Sequence, residues 1–205
     1  PFNYVATSTL RTLLGRSPAE FVVQHLPKSG VVRGRLPNGT TLHMHTHGDD
    51  WIANEIYWKG WRAFEPEMSG IFFELARTAH VMLDIGANTG FYTALAGLAN
   101  PHGRQYAFEP LERIWRRLKV TLELNQLKHA VAVQAAVSNQ TGTTVIYDPG
   151  TELPGGASLS AEFSTAAEGF RPVPTKVVTI DSFVMEHKLD RVDLIKMDTE
   201  RTEAE

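Results

Sequence analysis

The sequence predicts an α/β fold, a parallel sheet with crossover helices, and two observations carry that reading. From Val81 onward, short apolar runs and amphipathic stretches follow one another in the order strand, helix, strand, helix, strand. Between the first run and the first helix lies a turn of small residues, Asp84-Ile85-Gly86-Ala87-Asn88-Thr89-Gly90, at the carboxyl end of a strand, where such sheets bind ligands.

Each element has its own signal. The first 30 residues hold a weakly helical stretch, Leu10 to Leu26, interrupted at Pro18. From Val31 two short runs flank Pro37-Asn38-Gly39, and Asn-Gly tolerates the positive φ of a tight turn, so a β-hairpin is expected. Asp49 or Asp50 starts a helix with Ile52, Ile56 and Trp61 near helical spacing and Gly60 as its stop. EPEMSGIFFELARTA forms a second helix. VMLDI is too short for a helix and reads as a strand, and FYTALAGLA is a helix closed by Asn100-Pro101. RQYAFE is the second strand, and LERIWRRLKVTLELN a helix with Leu111, Ile114, Leu118 and Leu122 on one face. AVAVQAAV is the third strand, and residues 148–172, rich in Gly, Pro, Ser and Thr, form a long loop. PTKVVTI returns to strand, DSFVMEHKL is a short helix, and VDLIKMD is a strand buried on both faces. Residues 1–80 therefore read as a helical and hairpin extension packed on a core at 81–205.

Composition bounds the function. A chain of 205 residues, 42% hydrophobic and 21% charged, suits one globular domain, and its net charge of -3 favours a small-molecule partner over nucleic acid or a membrane surface. The lack of cysteine excludes disulfides and thiolate zinc sites and fits a reducing compartment, so the cytoplasm is expected. No apolar run approaches the roughly 20 residues that span a bilayer, and PFNYVATSTLRTLLGR does not resemble a signal peptide. The chain opens on Pro1 and stops in the charged MDTERTEAE, which leads us to expect a piece of a longer protein.

The turn lacks the full G-x-G-x-x-G of dinucleotide sites and the Lys-Ser/Thr of a P-loop, so a cofactor with a nucleoside and a carboxylate fits better than a pyrophosphate. The competing reading is a tight strand–helix turn with Asp84 as a helix cap. Glu109 weighs against it. It closes the second strand, 19 residues after Gly90, where a carboxylate accepts hydrogen bonds from both hydroxyls of a ribose that lacks a 2′-phosphate.

VMLDIGANTGFYT, YAFEP, LELN, GGASL, TIDSF and VDLIKMDTE resemble, in order and spacing, the FkbM family of methyltransferases, over roughly Asp50 to the C-terminus. The resemblance implies a Rossmann-like class I methyltransferase core of three α/β/α layers, S-adenosyl-L-methionine as cofactor, and O-methylation of a hydroxyl on a small-molecule or carbohydrate acceptor. It further implies seven strands in the order 3-2-1-4-5-7-6, by family analogy, of which this chain supplies the first four; the core would be truncated after the fourth. Carried over residue by residue, the cofactor lies against Asp84, Gly86, Ala87, Asn88, Gly90, Tyr92 and Thr93. Glu109 takes the ribose, Pro110, and Ala136 of the third strand, also lie against the cofactor, and Asp198 and Glu200 face the transferred methyl group. One departure stands out: the family has glycine after the acidic pair, and here it is Arg201, which would crowd a close approach.

Asp198 and Glu200, two apart at a strand end, face one way, and a carboxylate there can accept or orient the acceptor's hydroxyl proton; the alternative is that Asp198 caps the following helix. Alignment supplies much of the rate, because the sulfonium is already a good leaving group. Replacing Asp84 or Glu109 by Ala is expected to harm cofactor binding more than folding.

Three other features have quieter readings. His43, His45 and His47 share one face of a strand, yet the outer two are about 13 Å apart at ~3.3 Å per residue, so a polar strand is favoured over a metal site. Arg113, Arg116, Arg117 and Lys119 read as the wet face of a helix, and Trp51, Trp58 and Trp61 as packing residues. The rival functions are a non-catalytic nucleoside-binding module and a metal-dependent enzyme built on HMHTH. The identity of the acceptor and the oligomeric state are not encoded in any motif.

Overall fold

A computed structural model describes residues 26–148, 150 and 170–199 of the chain. Four parallel strands form the main sheet: β3 (Val81–Ile85), β4 (Arg104–Phe108), β5 (Ala130–Val133) and β9 (Leu194–Met197), side by side in the order β5-β4-β3-β9. This is the 3-2-1-4 strand order of a Rossmann-like, doubly wound sheet, and the α/β expectation holds.

Alternation along the strands assigns the layers. Val81, Leu83 and Ile85 of β3, with Tyr106 and Phe108 of β4, pack against Phe183 of helix α5 (Ile180–Glu186). Met82 and Ala107 point to the opposite face, toward α3 (Phe91–Ala99) and α4 (Glu112–Leu124). Burial on both faces explains why VMLDI has no polar alternation except at Asp84. On α4, Ile114, Leu118 and Leu122 are buried on the face expected for them, and Leu111 is buried at its N-cap.

The N-terminal elements share the core of the sheet. Strands β1 (Gly30–Arg35) and β2 (Thr41–Thr46) pair antiparallel, followed by α1 (Trp51–Lys59) and α2 (Pro66–Ala76). Val32, Leu42, Met44, Ile56, Trp58 and Phe73 join Met82, Phe91 and Leu95 in one hydrophobic cluster. Asp50 caps α1 by accepting the Ala53 N–H at 3.0 Å, and Gly60 ends the helix. The hairpin differs from a two-residue Asn-Gly turn: its connection runs over 36–40, only Gly39 has positive φ, and the Asn38 side chain instead accepts from Thr40 and donates to the Leu98 carbonyl. Trp58 and Trp61 lie in the core cluster as expected, while Trp51 is exposed.

Three segments depart from the sequence reading. AVAVQAAV is not one strand: it breaks after Val133, and β6 (Ala136–Val137) pairs in a second sheet with β8 (Arg171–Val178), which also pairs with β7 (Gly142–Asp148) in the order β6-β8-β7. The Glu109 N–H takes the Val133 carbonyl at 3.1 Å, ending the ladder where the chain turns away. β7 was not anticipated, and it places Asp148, with Arg171 and Pro172 of β8, in strands rather than in the long loop. Most of that loop, at 149 and 151–169, and the helical stretch at 10–25 lie outside the described residues. Finally, β9 is not buried on both faces, since Ile195 and Met197 on the edge of the sheet are exposed.

Candidate active site

The register Ile85 with Phe108 and Ile85 with Met197 sets three residues level at the carboxyl end of the sheet: Gly86, Glu109 and Asp198. The turn is held from below, with the N–H groups of Gly86 and Ala87 both donating to the Phe108 carbonyl at 3.1 and 2.9 Å. Gly86 has a φ of +74°, and a Cβ there would fall 2.0 Å from the Asp198 carbonyl oxygen. Gly90 has a φ of +90°, and its Cβ would lie 2.6 Å from Leu118 of α4. The two glycines thus let β9 and α4 close on the turn.

Glu109 ties the turn to β4. Its Oε2 accepts the Asn88 N–H at 3.1 Å and its Oε1 the Leu111 N–H at 3.0 Å. Burial pushes its carboxyl up to about 7, against the pull of those two N–H groups and of Arg113. The carboxylate thus carries two main-chain donors of the protein's own fold. Each oxygen keeps a lone pair for a further donor.

Asp84 is fully buried on the α3 side of β3. Its Oδ2 accepts from the hydroxyl of Thr93, in the first turn of α3, at 2.5 Å. Its Oδ1 has no hydrogen-bond partner. Burial pushes the Asp84 carboxyl above its ordinary range, opposed chiefly by Lys196.

Lys196, which the sequence reading passed over, fills the space between Asp84, Asp198 and Tyr92. Its Nζ donates to the Gly86 carbonyl at 3.3 Å and lies 3.5 Å from Asp198, 3.8 Å from Asp84 and 5.2 Å from the Tyr92 ring centre. A lone cation within the strand-like run VDLIKMD was the available signal. Tyr92 is buried and donates its hydroxyl to Glu65, an exposed residue with a φ of 44° ahead of α2; no local pattern pointed to it. Asp198 follows β9 with its side chain about half exposed. Glu200 and Arg201 lie outside the described residues.

The structure thus gathers Asp84, Gly86, Ala87, Asn88, Gly90, Tyr92, Thr93, Glu109 and Asp198 around one turn. Pro110 and Ala136 belong to the next corner, where Ala136 packs against Leu111 and Ile114. Two arginines of α4 are not the solvated face they resembled: Arg113 pairs with Asp148, and Arg117 pairs bidentately with Asp49 at 2.7 and 3.1 Å. His43 and His45 do lie on the polar face of β2. Among the described residues, no three His, Cys, Asp or Glu side chains converge as a metal site. No described helix is long and apolar enough to cross a membrane.

A family model described as the methyltransferase FkbM domain matches residues 84–205, more than half of the chain. The chain belongs to the FkbM methyltransferase family. The match opens on Asp84 itself and includes the turn, Glu109 and the β9 end. The likenesses to solved structures are partial. A precorrin-6y C5,15-methyltransferase from Geobacter metallireducens is 24% identical, over 34% of this chain and 38% of that one, with a TM-score of 0.31. An O-methyltransferase from Bacillus cereus, in complex with SAH, is 15% identical over 65% and 44%, with a TM-score of 0.38. The chain spans less than half the length of either protein. Comparison with curated proteins found no match.

Proposed function

We propose that this FkbM-family chain forms the cofactor-binding part of an S-adenosylmethionine-dependent methyltransferase that acts on a hydroxyl of a small-molecule or saccharide acceptor. The observation that carries the reading is the presence of two buried carboxylates, Asp84 and Glu109, at the ends of strands β3 and β4 beside the turn, with Glu109 accepting the Asn88 N–H. They fit the two ends of this cofactor. The unpartnered Asp84 Oδ1 suits an ammonium, and the spare lone pairs of Glu109 suit two ribose hydroxyls. Ala136 and Pro110, beside Leu111 and Ile114, give an apolar corner for the base.

When bound, the cofactor supplies an electrophilic methyl group on a sulfonium. The protein's task would then be alignment and disposal of one proton, which the acceptor hydroxyl would give up to a carboxylate or to water. Asp198, half exposed at the end of β9, is the described group in position to take or orient that proton, with Glu200 as its neighbour in sequence.

Calorimetry with S-adenosylmethionine and with NAD tests the reading. Binding of the first and not the second is expected, and a preference for NAD would sink it. A hydroxyl-acceptor panel with a labelled methyl donor then separates a methyltransferase from a module that only binds the nucleoside.

A further inference from the structure

Asp84 and Lys196 form an incomplete pair. The Asp84 carboxylate is wholly buried, one of its oxygens accepts from Thr93, and the other has no hydrogen bond. The nearest cation, Lys196 Nζ, stands 3.8 Å off, beyond hydrogen-bond reach, because it is drawn the other way by the Gly86 carbonyl at 3.3 Å and Asp198 at 3.5 Å. An ammonium at that separation lowers the energy of the buried charge without consuming its free lone pairs.

We propose, resting on the cofactor reading above, that Lys196 is a positioning residue: its ammonium, held between Asp84 and Asp198 by the Gly86 carbonyl, keeps Asp84 a carboxylate whose free oxygen receives the ammonium end of the cofactor. The charged and titratable groups around the pair are Asp198 from β9, Tyr92 from α3, Glu65 through the Tyr92 hydroxyl, and Glu109 across the turn. Among the described residues, Lys196 is the one cation in that set. Its removal leaves a buried carboxylate in the company of three acidic residues, and a proton is the simplest compensation.

The test compares wild type, K196M and K196R. Two neutral-thioether ligands, S-adenosylhomocysteine and methylthioadenosine, share the nucleoside and differ in the amino-acid end. K196M should bind the first at least about tenfold more weakly, as for loss of a hydrogen bond to a charged group, and the second nearly as wild type does. K196R should restore most of the difference. Equal losses for both ligands, or none, would overturn the proposal. A ligand-free measurement runs beside it: infrared spectra at neutral pH should show a protonated-carboxyl band in K196M that is missing from wild type and from K196M/D84N. If wild type binds neither nucleoside, the cofactor reading fails while the infrared band still decides whether Lys196 holds Asp84 ionised. Circular dichroism of every variant identifies any that does not fold, and K196R then carries the comparison with wild type.

Discussion

Although both oxygens of Glu109 accept main-chain N–H groups, which favour the charged form, burial outweighs them and raises its carboxyl to about 7, where the unfolded chain has an ordinary one near 4.5. The folded state then binds the proton more tightly than the unfolded state. Stability from this group is full below pH ~4.5 and is lost as pH rises toward about 7, by up to roughly 3 kcal/mol. Urea denaturation across that range should show the decline in wild type and a flatter profile in Glu109→Gln. Glu109→Ala should lose stability and cofactor affinity together, since it strands the Asn88 and Leu111 N–H groups at about 1–3 kcal/mol each when buried. Gly86 is the second residue with a clear outcome. Gly86→Ala places a methyl group on the Asp198 carbonyl in a backbone region that L residues avoid, and should cost at least about 2 kcal/mol by denaturant titration. Loss of stability below 0.5 kcal/mol would mean that β9 approaches the turn less closely than described.

At the scale of elements, the hairpin, α1 and α4 meet at a polar joint. Arg117 of α4 grips Asp49 just before α1, and Asp50, the α1 cap, lies 3.8 Å from the same guanidinium. Burial raises the Asp50 carboxyl above its ordinary range, with Arg117 among the groups opposing the shift. The Asp49–Arg117 pair is mostly shielded from water, so its two forked hydrogen bonds are worth more than those of the exposed Arg116–Glu112 pair. Arg117→Leu should destabilise the protein by about 2 kcal/mol, whereas Arg116→Leu should change stability by less than ~0.5 kcal/mol. A double-mutant cycle with Asp49→Ala separates the pair's coupling from lost packing, and a coupling near zero would show that the joint is held by the hydrophobic cluster alone.

For the molecule as a whole, the turn is where the sheet, α3, α4 and the β9 edge converge, so a ligand bound there braces most of the fold. Saturation with S-adenosylmethionine at a hundred times its Kd stabilises the native state by about 2.7 kcal/mol, provided the unfolded chain does not bind it. For a chain of this size that corresponds to a rise in Tm of roughly 5–10 °C, readable by differential scanning fluorimetry. NAD at the same concentration should leave the Tm unchanged. Glu109→Gln and K196M should each show a smaller rise than wild type, for different reasons: one loses an acceptor for the ribose, the other the charge on Asp84.

Local patterns were enough for the elements of the core. VMLDI, FYTALAGLA, RQYAF and the α4 leucines formed as read, because strand length, helical periodicity and glycine or proline stops act over a few residues. The turn and Glu109 were legible for the same reason, their spacing being fixed by one strand–helix–strand unit. What the tertiary structure decided is who shares a buried space. That β6 joins another sheet depends on its pairing with Val177 and Val178 of β8, far away in sequence. That Arg117 is shielded depends on a hairpin bringing Asp49 to α4. That Asp84 has one satisfied oxygen and one open one depends on Thr93, one helical turn into α3, and on Lys196, more than a hundred residues away. Sequence pattern reports which residues prefer burial and regular geometry; long-range packing sets which charges then face each other at low dielectric, where their energies are largest.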